Sequence, residues 1–233
     1  MSLADLEFHV CITWGKNAKV VQHAATKPRI SVESLTVKQR IIGITGGIAC
    51  GKTTVANYLG DRYGLPILDA DVYARSALTA ENLRLIGDRY GQGILHSDGS
   101  LDRRRLAQII FNDPQEKKWL EALIHPHVRD QLVQGIKAHF PQTVVAVVPL
   151  LFEANMTDLV SEIWLITCPK QIQLERLIQR NHLSQAEAEQ RINSQQPPSA
   201  KIPFADHVLD SSLPLENLYQ QVQTVMAMTT AKE

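Results

Sequence analysis

The sequence predicts an α/β fold, three layers built on a parallel sheet of about five strands, and three observations carry that prediction. Short apolar runs recur along the 233-residue chain with helical patterns between them. The runs are apolar at consecutive positions rather than at every second one, the pattern of strands covered on both faces. The first run leads through a glycine-rich loop directly into a helical pattern.

The elements follow in order. The run 41–44 is the first strand, and Val55, Tyr58 and Leu59 stand at helical spacing within 53–61. Gly64 ends that helix, and "LPILDAD" supplies a second strand that runs into Asp69 and Asp71. From about 72 to 140 the pattern is helical, broken by the turn "SDGS" at 97–100 and followed by the basic run Arg103, Arg104, Arg105. Pro126 is expected to open a helix at its first position, with Val128, Leu132 and Ile136 on one face. The runs 143–148 and 162–168, each closed by a proline, read as buried strands. Ile172, Leu174, Leu177 and Ile178 predict a helix to about Arg180, and Ser184 with Glu187 forms a capping box for the next. A last strand at 206–210 precedes a helix with Leu215, Leu218, Tyr219, Val222, Val225 and Met226 on one side. One domain is expected over 39–233. Residues 1–38, weakly periodic and containing Pro28, are expected to be a disordered extension.

Composition narrows the function classes. The 24 basic residues balance the 24 acidic ones, so no general positive field suits long nucleic acid, and any anion site must be local. No run approaches the roughly eighteen apolar residues of a transmembrane helix. "FHVCITWG" is short, broken by His9 and preceded by no basic region, so it does not read as a signal peptide. Cys11, Cys50 and Cys168 are odd in number, far apart and form no C-x-x-C, which fits neither a disulfide framework nor a zinc site and suits a reducing cytoplasm. The expected partner is a small molecule rather than nucleic acid or membrane, handled by a monomer or small homo-oligomer.

Gly46, Gly51, Lys52 and Thr53 match G-x-x-x-x-G-K-[ST], the P-loop of nucleoside-triphosphate-binding proteins. Glycines permit backbone torsions that turn successive N–H groups inward, so Gly46, Gly47, Ala49, Cys50 and Gly51 are expected to cradle ATP phosphates, with Thr54 in the helical turn behind them. Lys52 reaches the terminal phosphates, and the Thr53 hydroxyl suits Mg²⁺. A GTPase would carry N-K-x-D, which is absent, and the D-x-x-G matches at Asp61 and Asp88 follow no apolar strand. An ATPase motor would end its third or fourth run in aspartate, where this chain has Pro149 and Pro169. What remains is a kinase. On an extended backbone Asp69 and Asp71 project the same way, at the strand end where open α/β sheets bind ligands. Asp71 is the candidate base for an acceptor hydroxyl, the alternative being a turn aspartate that caps the next helix.

"IGITGGIACGKTTVANYL", "ILDADVYAR", "DGSLDRRRLAQIIF", "LEALIHPHV", "VVPLLFE" and "RINSQQ" followed by "ADHVLD" resemble, in order and spacing, the dephospho-CoA kinase family. The resemblance covers about residue 40 to the end of the sequence. It implies transfer of the γ-phosphate of ATP, with Mg²⁺, to the 3′-hydroxyl of the dephospho-CoA ribose, the last step of coenzyme A synthesis. It also implies Asp71 as base, Asp69 either holding magnesium through water or serving packing or capping, Arg75 near the acceptor's phosphates, Arg103 in an acceptor-binding helical insertion at about 72–140, and a lid at about 180–200. His125, before Pro126, is either a substrate contact or a helix-start hydrogen-bond donor. Arg176 and Arg180 are either arginines aimed at the transferring phosphoryl group or surface ion-pairing groups. A nucleoside or nucleotide kinase of similar fold is the alternative, and a nucleotide-gated scaffold a more distant one.

Two departures from the family stand out. Where it commonly reads "GIGSGK" this chain has "GIACGK". Cys50, between a helix N-terminus and Lys52, is expected to have a lowered pKa, so that its oxidation or alkylation would block ATP binding. The other departure is the length ahead of the first strand, for which Val37 as an alternative start is one explanation.

Overall fold

A computed structural model describes residues 38–230; Cys11, Val37 and all but the last residue of the expected extension lie outside them. Five strands, β1 (Ile41–Gly46), β2 (Ile67–Asp69), β3 (Val144–Val147), β4 (Glu162–Thr167) and β5 (His207–Asp210), form one sheet in the order β2-β3-β1-β4-β5. All four neighbouring pairs are parallel. β1 is therefore central, flanked by β3 and β4, and whatever leaves its carboxyl end lies at mid-sheet.

The helices are α1 (Lys52–Tyr63), α2 (Ala70–Ser76), α3 (Ala80–Tyr90), α4 (Arg103–Asn112), α5 (Pro114–Ala138), α6 (Lys170–Asn181), α7 (Gln185–Asn193), α8 (Pro198–Lys201) and α9 (Leu215–Thr230). None among the described residues is long and apolar enough to cross a membrane. Successive strand residues point to opposite faces, so both faces need apolar side chains. Ile42, Ile44, Val145, Val147, Trp164 and Ile166 pack with Val55 and Leu59 of α1 and Leu218 and Val222 of α9. Val144, Ala146 and Ile163 pack on the other side with Ile86, Leu106, Leu120 and Leu132 of α3, α4 and α5. This two-sided cover is why the strands read as uninterrupted apolar runs.

Local signals set the helix ends. Gly64, left-handed at φ 65°, closes α1 with its N–H on the Gly60 carbonyl at 2.9 Å. Ser184 and Glu187 make the expected reciprocal cap on α7. Pro126 does not start a helix. It lies inside α5, which is capped by Asp113, whose side chain accepts from the Gln115 and Glu116 amides with Pro114 in the first turn. Leu120, Ile124, Val128 and Leu132 are buried at four-residue intervals straight across Pro126. Their burial, about 1.5–3 kcal/mol each, outweighs the one backbone hydrogen bond that proline removes.

Two features fasten the chain beyond α6. Ala188 of α7 packs on Leu174, Leu177 and Ile48, which lays this segment on the loop after β1. Further on, Lys201 Nζ meets Glu153 Oε1 at 2.7 Å, with side-chain exposures of only 3% and 1%.

Candidate active site

The loop 47–51 leaves the central strand and turns at once into α1. Gly46 has φ 149°, and a Cβ there would lie 2.2 Å from the Ile166 carbonyl oxygen, so only glycine lets β1 end against β4. Gly51, at φ 87°, makes the turn into the helix. Ala49 sits at φ 58°, a left-handed conformation costing about 1–2 kcal/mol for a residue with a Cβ. Lys52, the first residue of α1, is nearly buried, and its Nζ donates to the Gly46 and Gly47 carbonyls at 3.1 and 2.9 Å.

A cavity of about 490 Å³ opens above this loop, lined by Gly51, Lys52, Thr53, Thr54, Asp69, Asp71, Arg176 and Arg180. Asp69 and Asp71 both face it, although not as two residues of one strand. Asp69 ends β2 and caps α2, its Oδ1 accepting from the Asp71 amide at 2.8 Å; Asp71 already belongs to the first helical turn. The extended-backbone expectation is corrected: the Asp69 cap turns the chain, and the helix then brings Asp71 to the same cavity. Asp71 also lines a second, smaller and mainly apolar cavity of about 60 Å³, together with Glu121, His125 and Gln195. It is the one acidic side chain on both.

The "DGSLDR" stretch works as a positioning device. Gly99, at φ 80°, and Asp98, which accepts from the Ser100 amide and hydroxyl, make a turn closed by the Leu95–Leu101 bridge. Asp102 then caps α4 by accepting from the Arg105 amide at 3.0 Å, which fixes Arg103 as the first residue of the helix. Partial burial lowers the Arg103 pKa, and the positive charge of Arg75 lowers it further. Two cations near enough to act on each other's charge suit a polyanion.

His125 is kept neutral at ordinary pH because burial lowers its pKa. Next to it in the smaller cavity, the pKa of Glu121 is raised, first by burial and then by the Glu153 carboxylate, with Lys117 opposing. A carboxyl whose folded pKa is raised stabilises the fold below its unfolded value, about 4.3, and loses that contribution as pH rises through the folded value. Glu121→Gln should therefore match the native chain in melting temperature near pH 4 and exceed it at pH 7. A variant no more stable than the native chain at pH 7 would contradict this.

The two α6 arginines differ. Arg180 lines the large cavity. Arg176 does too, but it also braces the loop: its Nη2 donates to the Ser211 carbonyl at 2.6 Å and its Nη1 to Ser211 Oγ at 3.1 Å and the Ala49 carbonyl at 3.3 Å. Cys50 does have its pKa lowered, but the main cause is a hydrogen bond from the Cys168 thiol, with Gln173 and Lys52 contributing less. Gln173, Ser211 and Cys168 adjoin the loop and its arginine without any motif signal in the sequence. Gln195 had a signal in "RINSQQ"; its Oε1 accepts from the Ile48 amide at 2.7 Å.

Residues 40–216 match the family model described as dephospho-CoA kinase. The chain belongs to the dephospho-CoA kinase family. It is 51% identical over 190 residues to the dephospho-CoA kinase of Trichormus variabilis, covering 81% of this chain and 97% of that one. It is likewise 51% identical over 191 residues to the Synechocystis enzyme, covering 79% and 94%. Among solved structures, TT1252 from Thermus thermophilus superposes with a TM-score of 0.70 at 35% identity, covering 82% of this chain and 98% of that one. The dephospho-CoA kinase from Campylobacter jejuni gives 0.56 at 25% identity, covering 83% and 98%. The chain is thus a P-loop kinase of coenzyme A biosynthesis, with ATP as its phosphoryl donor.

Proposed function

We propose that the dephospho-CoA kinase reaction is divided between the two cavities and meets at Asp71. The observation that carries this reading is that Asp71 lines both, with Lys52, Thr53 and Arg180 on one side and His125 on the other. ATP would lie along the 46–54 loop, its terminal phosphates at Lys52. The acceptor's 3′-hydroxyl would reach Asp71 from the helical insertion, and Asp71 would orient it and take its proton. Phosphoryl transfer otherwise needs mainly positioning and charge stabilisation, which Lys52, Arg176 and Arg180 supply. Arg75 and Arg103, whose positive charges act on each other, would supply countercharge to the acceptor's pyrophosphate, and His125, its pKa lowered by burial, would offer it a hydrogen bond. The hydroxyl of Thr53 and the carboxylate of Asp69 are hard oxygen donors on one wall, a set that fits Mg²⁺. When bound, that ion would neutralise phosphate charge. The segment from about 180 to 200 is the lid, tied to the loop by Gln195, and a cytoplasmic location fits this chemistry.

The test is ADP formation from ATP and Mg²⁺ with dephospho-CoA, with adenosine and AMP in parallel, for the native chain and Arg103→Ala. Turnover is expected with dephospho-CoA, with KM for that acceptor raised about tenfold or more in the variant and KM for ATP unchanged; a lost charge-assisted contact of about 1.5–3 kcal/mol is of that size. Turnover with adenosine or AMP and none with dephospho-CoA would overturn the acceptor assignment. An unchanged KM would remove Arg103 from it.

A further inference from the structure

Cys50 and Cys168 are 118 residues apart in sequence, yet their sulfurs lie 3.3 Å apart, both buried. Gly46 and Ile166 are register partners at the ends of β1 and β4. The phosphate loop then curls back, so Cys50, just before the first turn of α1, comes to rest on Cys168, just past β4. Gln173 Nε2 donates to Cys50 Sγ at 2.8 Å, and Arg176 Nη1 stands 4.0 Å from Cys168 Sγ. The Cys50 sulfur thus accepts two hydrogen bonds in a positively charged surround. The bond between them pushes the Cys50 thiol down and the Cys168 thiol up. Phosphoryl transfer uses neither sulfur.

We infer that Cys50 and Cys168 are a redox pair, which hydrogen peroxide converts to an intramolecular disulfide that shuts the phosphate loop to ATP. In the first step the Cys50 thiolate attacks the peroxide; an S–O bond forms, the O–O bond breaks, and hydroxide leaves to become water, giving a sulfenic acid. In the second, the Cys168 sulfur attacks Cys50 Sγ; the S–S bond forms, the S–O bond breaks, and the departing hydroxide takes the Cys168 proton. The peroxide is reduced by two electrons, two thiols are oxidised, and the products are a disulfide and water. Closing the gap from 3.3 Å to about 2.05 Å pulls Cys50, and with it the loop amides, toward β4. It also takes from Gln173 its sulfur acceptor and removes the negative charge that faces Lys52. A dithiol reverses the change by exchange.

This inference rests on the 46–54 loop being the ATP site, and the experiment separates the two. The full chain is treated with hydrogen peroxide, free thiols are blocked, and the protein is measured by intact mass, by tryptic mapping and by ADP formation with dephospho-CoA. The expected result is a loss of about 2 Da for the two thiol hydrogens, a cross-link between tryptic peptides 41–52 and 138–170, and activity lowered at least tenfold and restored by dithiothreitol. Cys168→Ser and Cys168→Ala should keep basal activity and lose the dithiol-reversible inhibition. Oxygen added to Cys50 without a cross-link, or neither cysteine reacting, would overturn the pair. A cross-link with unchanged activity would overturn its effect on ATP. The cross-link reads out independently of turnover, so failure of the ATP-site reading would show separately, as native activity insensitive to Lys52 replacement.

Discussion

Asp71→Asn is expected to lower kcat with dephospho-CoA about 10²- to 10⁴-fold, the range spanned by a positioned general base, while KM for ATP and the melting temperature stay near native values. The α2 cap is kept in the variant, because the Asp71 backbone amide donates to Asp69 Oδ1 whatever the side chain. Asparagine keeps the shape and can still accept a hydrogen bond from the acceptor hydroxyl, so binding survives, but it cannot take the proton. The measurement is steady-state kinetics with both substrates varied, together with thermal unfolding. A kcat within tenfold of native would return Asp71 to the role of a first-turn helix residue.

Lys52→Ala should lower kcat/KM for ATP about 10²- to 10³-fold, the loss typical of one preorganised electrostatic group at a developing charge. A second effect comes from the fold itself. The ammonium is nearly buried against the Gly46 and Gly47 carbonyls, and removing it leaves those acceptors short of a donor, at a cost of about 1–3 kcal/mol. Lowered activity with lowered stability is the signature; lowered stability alone would make Lys52 a brace for the loop. Lys52→Arg should not rescue turnover, because a planar fork does not replace a point charge in a site this enclosed.

The place of Lys52 is legible in the sequence because local chemistry fixes it. The torsions of the loop demand glycine at Gly46 and Gly51, and the motif states that demand within eight positions. The strands were legible for a similar reason: each must present apolar groups to both sides. Pro126 misled because a helix start and a tolerated interior proline look alike until the buried ridge from Leu120 to Leu132 is seen in three dimensions. Asp71 was found as a residue but misplaced by one turn of backbone, since nothing in "ILDAD" says that Asp69 will end the strand by capping. The contacts from Arg176 to Ser211, Gln195 to Ile48 and Cys168 to Cys50 were invisible. They join residues 35, 147 and 118 positions apart, and each depends on the strand order, which no local spacing encodes.

The contact between Lys201 and Glu153 has a bearing on how this sequence can drift. Replacing either alone strands its partner's charge away from water, a loss of about 3–5 kcal/mol, whereas replacing both by apolar residues of matching volume is often neutral. Against a typical total stability of about 5–15 kcal/mol, the single replacements are nearly forbidden and the double one is open. The two positions therefore form one inherited unit, and lineages that differ at one should differ at the other.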